Sequence, residues 1–178
     1  MLKWGYMRGR NGFTLVELLI VIVIIAILAA ITIVSYGNIA TKARESKMTA
    51  DLSQLSDAIQ IARNNTGQVL KDITGSTYTA SGCVSQPAGT DLAALSKSSS
   101  CWTTYENSLQ KISDASGVTI TSLVDPWGRP YVIDENEGEN GGCGYDVIAA
   151  YASSFNGGTR YAGESLNVPH SGNSGCAT

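Results

Sequence analysis

Apolar positions along the chain change pattern three times. From Phe13 to Val34 the run FTLVELLIVIVIIAILAAITIV is hydrophobic on every side of a helix, with Glu17 its only charged residue. Its length suffices to cross a bilayer, because ~20 apolar residues rising ~1.5 Å each span ~30 Å of hydrocarbon. A carboxylate in such a segment is costly unless something neutralises it, which makes Glu17 a candidate functional residue. Beyond the run, Met48, Leu52, Leu55, Ile59 and Ala62 recur in steps of four, three, four and three, the stripe of an amphipathic helix. Lys47, Asp51, Gln54, Asp57 and Arg63 fall off that stripe. No proline interrupts Phe13–Asn65, and Gly67 suits a left-handed stop after Asn64-Asn65-Thr66. The pattern predicts one continuous helix to about residue 66, apolar all round at first and two-faced afterwards.

After Gly67 the pattern loosens. Residues 67–100 are rich in Gly, Ser and Thr and read as a long irregular connection, with at most a helical turn at Asp91–Lys97. The Tyr105, Leu109, Ile112 spacing predicts a second helix over Thr103–Ala115, ending at Gly117. Val118–Val124 alternates apolar with Ser or Thr, as a half-buried strand does. Asp125-Pro126-Trp127-Gly128 is a turn, with proline fixing φ and glycine accepting positive φ. Tyr131–Asp134 and Tyr145–Ala152 read as strands flanking the acidic, glycine-rich segment Glu135–Gly144, and one more short strand is expected near Tyr161. The fold class is α+β, a long helix on a small antiparallel sheet.

Composition narrows the function. The chain has 178 residues with formal net charge −3, so no global basic field favours nucleic acid. Cys83, Cys101, Cys143 and Cys176 are an even set downstream of the apolar run, which fits two disulfides in an oxidising compartment and places the body outside the cytoplasm. Sequence order favours Cys83–Cys101 and Cys143–Cys176 among the three possible pairings. With no C-x-x-C pair and His170 the single histidine, the composition argues against a zinc site. A secretory signal is a rival for the N-terminus, with Lys3, Arg8 and Arg10 as its basic region, Leu18–Leu28 as its apolar region and cleavage after Ala30. Glu17 interrupts the hydrophobic run near its start, and helical signal continues past Ala30.

Gly12-Phe13-Thr14-Leu15-Val16-Glu17 and the apolar run resemble the class III prepilin signature of type IV pilins and type II secretion pseudopilins. The resemblance covers Arg10–Val34. It implies cleavage between Gly12 and Phe13 by a prepilin peptidase, N-methylation of Phe13, and a meeting of Glu17 with the terminal amine of a neighbouring subunit. It divides the chain into a leader (1–12), a transmembrane and filament-core half-helix (13–37) and an extracellular globular domain (38–178). That domain holds the amphipathic half-helix to about 66, a connecting loop at 67–117, and the sheet with the C-terminal disulfide region at 118–178. Loss of Lys3, Arg8 and Arg10 would leave nine basic against fifteen acidic residues, a formal charge of −6. Val34 stands where many pilins carry a proline, so the arm either stays helical or loosens near Ser35-Tyr36-Gly37.

The resemblance implies a structural pilin subunit, polymerising as a homo-oligomer into a helical type IV pilus for attachment, twitching motility or DNA uptake. Its partners would be the prepilin peptidase, an inner-membrane assembly platform and an assembly ATPase system. It would lie in the cytoplasmic membrane first and in a cell-surface filament afterwards. A pseudopilin of a type II secretion system is the alternative, because Asp125-Pro126-Trp127-Gly128-Arg129-Pro130-Tyr131 resembles a loop of major pseudopilins. A membrane-anchored extracellular enzyme or receptor is a remote third, since His170 has no obvious acid partner in the sequence. No cofactor is expected. Calcium is the weak exception, because Asp134, Glu135, Glu137 and Glu139 could offer oxygens on a flexible loop, although the spacing of a known calcium loop is absent. Lys42, Arg44 and Lys47 read as a solvated cluster, with lipid headgroups or an adjacent subunit as the other readings. The aromatic residues Trp102, Tyr105, Trp127, Tyr131, Tyr145 and Tyr151 read as packing around the sheet.

Overall fold

Thr14 begins the helix that dominates the chain, and a left-handed glycine ends it. In the computed structural model, which describes residues 13–87, 89–151 and 165–171, α1 spans Leu15–Thr66. Gly67 sits at φ 69° and its N–H donates to the Arg63 carbonyl at 2.8 Å, so the last turn closes as a helix C-terminus should. The described residues fall into two units that divide between Ala43 and Arg44. Within the described part of the first unit, the window Leu15–Thr32 has mean hydropathy 3.1 and none of it is buried.

The second unit has a core built on the predicted stripe. Met48, Leu52, Leu55, Ile59 and Ala62 are all buried, joined by Ala58. They pack with Trp102, Tyr105, Leu109 and Ile112 and with Ile133, Ile148 and Val168. The second set belongs to α4 (Ser100–Ser116), a turn longer than the periodicity implied. The Ser99 side chain caps α4, and Gly117 closes it at φ 75°. Between α1 and α4 the connection contains two short helices that sequence missed, α2 (Leu70–Thr74) and α3 (Ser81–Val84). Asp91–Lys97 holds a turn and no helix, with the Ala94 N–H donating to the Asp91 carbonyl at 3.1 Å.

Among the described residues, three antiparallel strands form the sheet in the order β1 (Val132–Asp134), β2 (Asp146–Ala149), β3 (Ser165–Val168). Ile133 pairs with Ile148, and Val132 with Ala149. Alternation sends the first pair to the α1–α4 core. The second pair goes to another cluster with Ala80, Cys83, Leu92, Cys101 and Tyr151. The Ala80 N–H donates to the Ile133 carbonyl at 3.2 Å, so the chain before α3 engages β1. The strand expected near Tyr161 is observed at Ser165–Val168, and residue 161 itself lies outside the described residues.

Val118–Val124 is not a strand, contrary to its alternating pattern. Local donors and acceptors take its backbone groups before a ladder can. The Ser116 hydroxyl accepts from Val118 N (3.0 Å), the Ser113 hydroxyl from Ile120 N (3.1 Å), and Leu123 N turns back to the Ile120 carbonyl (3.1 Å). The Tyr105 hydroxyl and the Lys47 ammonium donate to the carbonyls of Leu123 and Val124 at 2.8 and 2.6 Å.

Candidate functional site

Glu17 stands three residues after Thr14, which is the spacing of a capping box. The Thr14 N–H and hydroxyl both donate to Glu17 Oε2, at 2.9 and 2.7 Å, and the Glu17 N–H donates back to the Thr14 hydroxyl at 3.2 Å. The carboxylate is thereby folded against the start of its own helix, where the backbone dipole favours a negative charge. Both of these contacts use one carboxylate oxygen, and the residue is exposed. Phe13, at 84% exposure, precedes it. The signal for this cap in the sequence is the Thr-x-x-Glu spacing. Gly12, the other residue of the expected cleavage site, lies outside the described residues.

The body carries its charges differently. Arg63, off the apolar stripe of α1, is 2% exposed. Its Nη1 donates to the Pro169 carbonyl at 2.7 Å. Its Nη2 bonds Asp146 and lies 3.1 Å from Glu137 Oε2. One guanidinium thus ties the helix to β2, to the loop before β2 and to the chain after β3. Burial raises the pKa of Asp146, with the Glu137 N–H (2.6 Å) and Arg63 opposing that shift. Glu137 Oε1 accepts from the Ser171 N–H at 2.7 Å and from its hydroxyl at 3.0 Å. His170 does have an acid near it: Nδ1 lies 3.7 Å from Glu137 Oε1, and its ring stacks on half-exposed Tyr145 with centroids 4.0 Å apart. Sequence could not show this pairing, because the two residues meet only through the sheet.

The four acidic candidates for calcium do not converge. Asp134 is in β1, Glu137 faces Arg63 and Ser171, and Glu139 lies half-exposed in a 3-10 turn, Glu139–Gly141. Glu135 is fully buried and accepts from the Thr79 N–H at 2.9 Å and from the Thr79 hydroxyl, which also contacts Ser108 at 2.8 Å. Burial pushes its pKa up to about 7, against the lowering effect of those hydrogen bonds. Among the described residues, no group of three or more acidic, histidine or cysteine side chains is gathered to hold a metal ion.

Cys83 and Cys101 are joined, linking α3 to the first turn of α4 across a Cα–Cα distance of 4.3 Å. Gly82 permits this approach, since a Cβ there would meet the Ser100 carbonyl carbon at 2.8 Å. Cys143 is disulfide-bonded as well, and Cys176 lies outside the described residues. Arg44 and Lys47 are not simply solvated. Arg44 lies 5.6 Å from the Trp127 ring centre, and Lys47 pairs with Asp51 while holding the Val124 carbonyl. Of the aromatic residues, Trp102, Tyr105, Tyr131 and Tyr151 are buried, whereas Trp127 is half-buried and Tyr145 is 49% exposed.

Comparison with known proteins adds a family to this geometry. Residues 7–33 match the model of the prokaryotic N-terminal methylation motif. The chain is 43% identical over 51 residues to the type IV major fimbrial protein FimA of Dichelobacter nodosus, covering 29% of this chain and 33% of that protein. It is 39% identical over 56 residues to a fimbrial protein of Pseudomonas aeruginosa, covering 32% of this chain and 36% of that one. The match thus spans about a third of the length of these curated relatives. With the type IV wide pilus major component PilA4 of Thermus thermophilus it shares 34% identity over 127 residues, 67% of this chain and 85% of that protein. No solved structure matches the chain significantly. An alignment of 127 residues cannot be confined to a helix of 52, so the likeness to PilA4 takes in the body as well as the arm, and the chain belongs to the type IV pilin family.

Proposed function

We propose that the chain is a structural subunit that polymerises into a type IV pilus. Prepilin peptidase cleaves between Gly12 and Phe13, and the new terminal amine of Phe13 is methylated. The Leu15–Thr32 segment holds the subunit in the cytoplasmic membrane until an assembly platform, driven by an ATPase, extracts it into a filament on the cell surface. The observation that carries this reading is that wholly unburied apolar window with its single carboxylate. An apolar surface with no partner in its own chain is covered either by lipid or by equivalent helices of other copies, and lateral association of such helices exchanges one for the other. Capped by Thr14 through one oxygen, Glu17 faces outward for a cation, and the amine of a neighbouring Phe13 supplies one. That meeting neutralises the carboxylate on assembly and sets the stagger between copies.

The relatives reported above carry pilus names, which supports a pilus over a secretion pseudopilus. The engagement of Glu135 by Thr79 and of Glu137 by Arg63 and Ser171 supports a packing role for these acids in preference to calcium binding. Processing is tested by intact-mass measurement of the protein isolated from sheared cell-surface material. The expected chain begins at a monomethylated Phe13. A chain beginning at Ile31 would establish an ordinary secretory signal and remove the filament reading.

A further inference from the structure

Of the two tryptophans among the described residues, Trp102 is buried in the core and Trp127 remains half-exposed. Trp127 stands on a turn with little freedom. Asp125 Oδ1 accepts from the N–H groups of Trp127 (2.9 Å) and Arg129 (2.8 Å), and Arg129 Nε donates to Asp125 Oδ2 at 2.7 Å. Gly128 completes the turn at φ 79°. Two guanidinium groups lie near the indole, with Arg129 at 4.9 Å and Arg44 at 5.6 Å from the ring centre. Their charges differ in standing. Arg129 is balanced by Asp125, and Lys47 nearby is balanced by Asp51. Arg44 is exposed, and among the described residues no carboxylate forms an ion pair with it, although exposed Glu45 adjoins it in sequence. An aromatic ring orients Arg44 without neutralising it, which leaves its donors for an anion.

We propose that Arg44 and Trp127 form a docking surface for the phosphate groups of anionic phospholipids, used while the subunit is anchored in the membrane. The inference rests on the membrane-anchored stage proposed above. The chemistry fits, since a planar guanidinium presents paired donors that match phosphate oxygens, and tryptophan beside a cation is the usual company of a membrane–water interface. Sequence position fits as well, since Arg44 follows Val34, the end of the apolar run, by ten positions. A carboxylate on a second copy of the chain is the competing occupant.

The test places the full mature chain in vesicles of equimolar phosphatidylglycerol and phosphatidylcholine carrying a headgroup nitroxide, and in vesicles of phosphatidylcholine alone. Flotation reports anchoring, and quenching of tryptophan fluorescence reports headgroup contact, with Trp127→Phe giving the Trp102 background. Trp127 is expected to be quenched more strongly in the anionic vesicles. Arg44→Gln, a change at an exposed position, should leave the chain folded by circular dichroism and lower headgroup occupancy about fivefold. Chain that does not float would defeat the anchoring itself. Chain that floats but shows equal Trp127 quenching in both vesicles, or in the Arg44→Gln variant, would overturn the docking surface alone. Unchanged quenching with loss of filament yield in Arg44→Gln would assign Arg44 to a contact between copies and overturn it too.

Discussion

Residues 15–32 of α1 bury nothing, whereas residues 48–62 of the same helix contribute six apolar side chains at 7% exposure or less. Charge follows the same division. Among the described residues, Glu17 is met by Thr14, one turn away, while Arg63 is held by Asp146, Glu137 and the Pro169 carbonyl, all distant in sequence. One helix therefore carries two kinds of surface. Where apolar residues form a stripe, the chain can fold back and cover them. Where they encircle the helix, as at Leu15–Thr32, none of that surface is buried among the described residues, which suits lipid or other copies of the chain. Changes in the arm should therefore register in assembly, and changes in the body in stability.

The sharpest break of that division would come from Glu17→Val. Filament yield in cells should fall to none, while the melting temperature of the body stays as it was. Normal filaments from this variant would remove the charge-pairing role. In the body, Arg63→Met keeps most of the side-chain volume but strands Asp146 and Glu137 without their cation, and should cost about 3–5 kcal/mol in denaturant unfolding. A loss below ~1 kcal/mol would show that the buried acids find other partners. Replacing Cys83 and Cys101 together by serine opens a link between residues 18 apart. On the chain-entropy account it should lower stability by about 3 kcal/mol, measured beside the parent under non-reducing conditions.

Two smaller effects sharpen the comparison. Glu135 has a folded-state pKa of about 7, above its ordinary 4.5, so between those values the native body binds a proton that the unfolded chain does not. Stability from this group is present at low pH and declines as pH rises through that window, by at most about 1.4 kcal/mol per pH unit. Glu135→Gln should flatten that slope, and an unaltered slope would place the titration elsewhere. Thr14→Ala removes the helix cap and should cost about 1 kcal/mol of local helix stability, seen as faster amide exchange in the first turn in detergent. Thr14→Ser should restore protection, and the melting temperature of the body should not move with either change.

Much of this was legible without coordinates because its causes are local. An uninterrupted apolar run, a stripe at helical spacing and a glycine after Thr66 are enough to define α1, and the same spacing defines α4. The Thr14 cap is local too, written in the Thr-x-x-Glu spacing. Val118–Val124 misled because alternation describes side chains, whereas a strand also needs free backbone groups, and those are taken by Ser113, Ser116, Tyr105 and Lys47. The Arg63 cluster, the Thr79–Glu135 contact and the placing of Trp127 beside Arg44 join residues 56 to 106 positions apart. No periodicity encodes such meetings. They arise when helix and sheet close on one core, and burial then decides which charge is paired, which is left near neutral pH and which remains open to a partner.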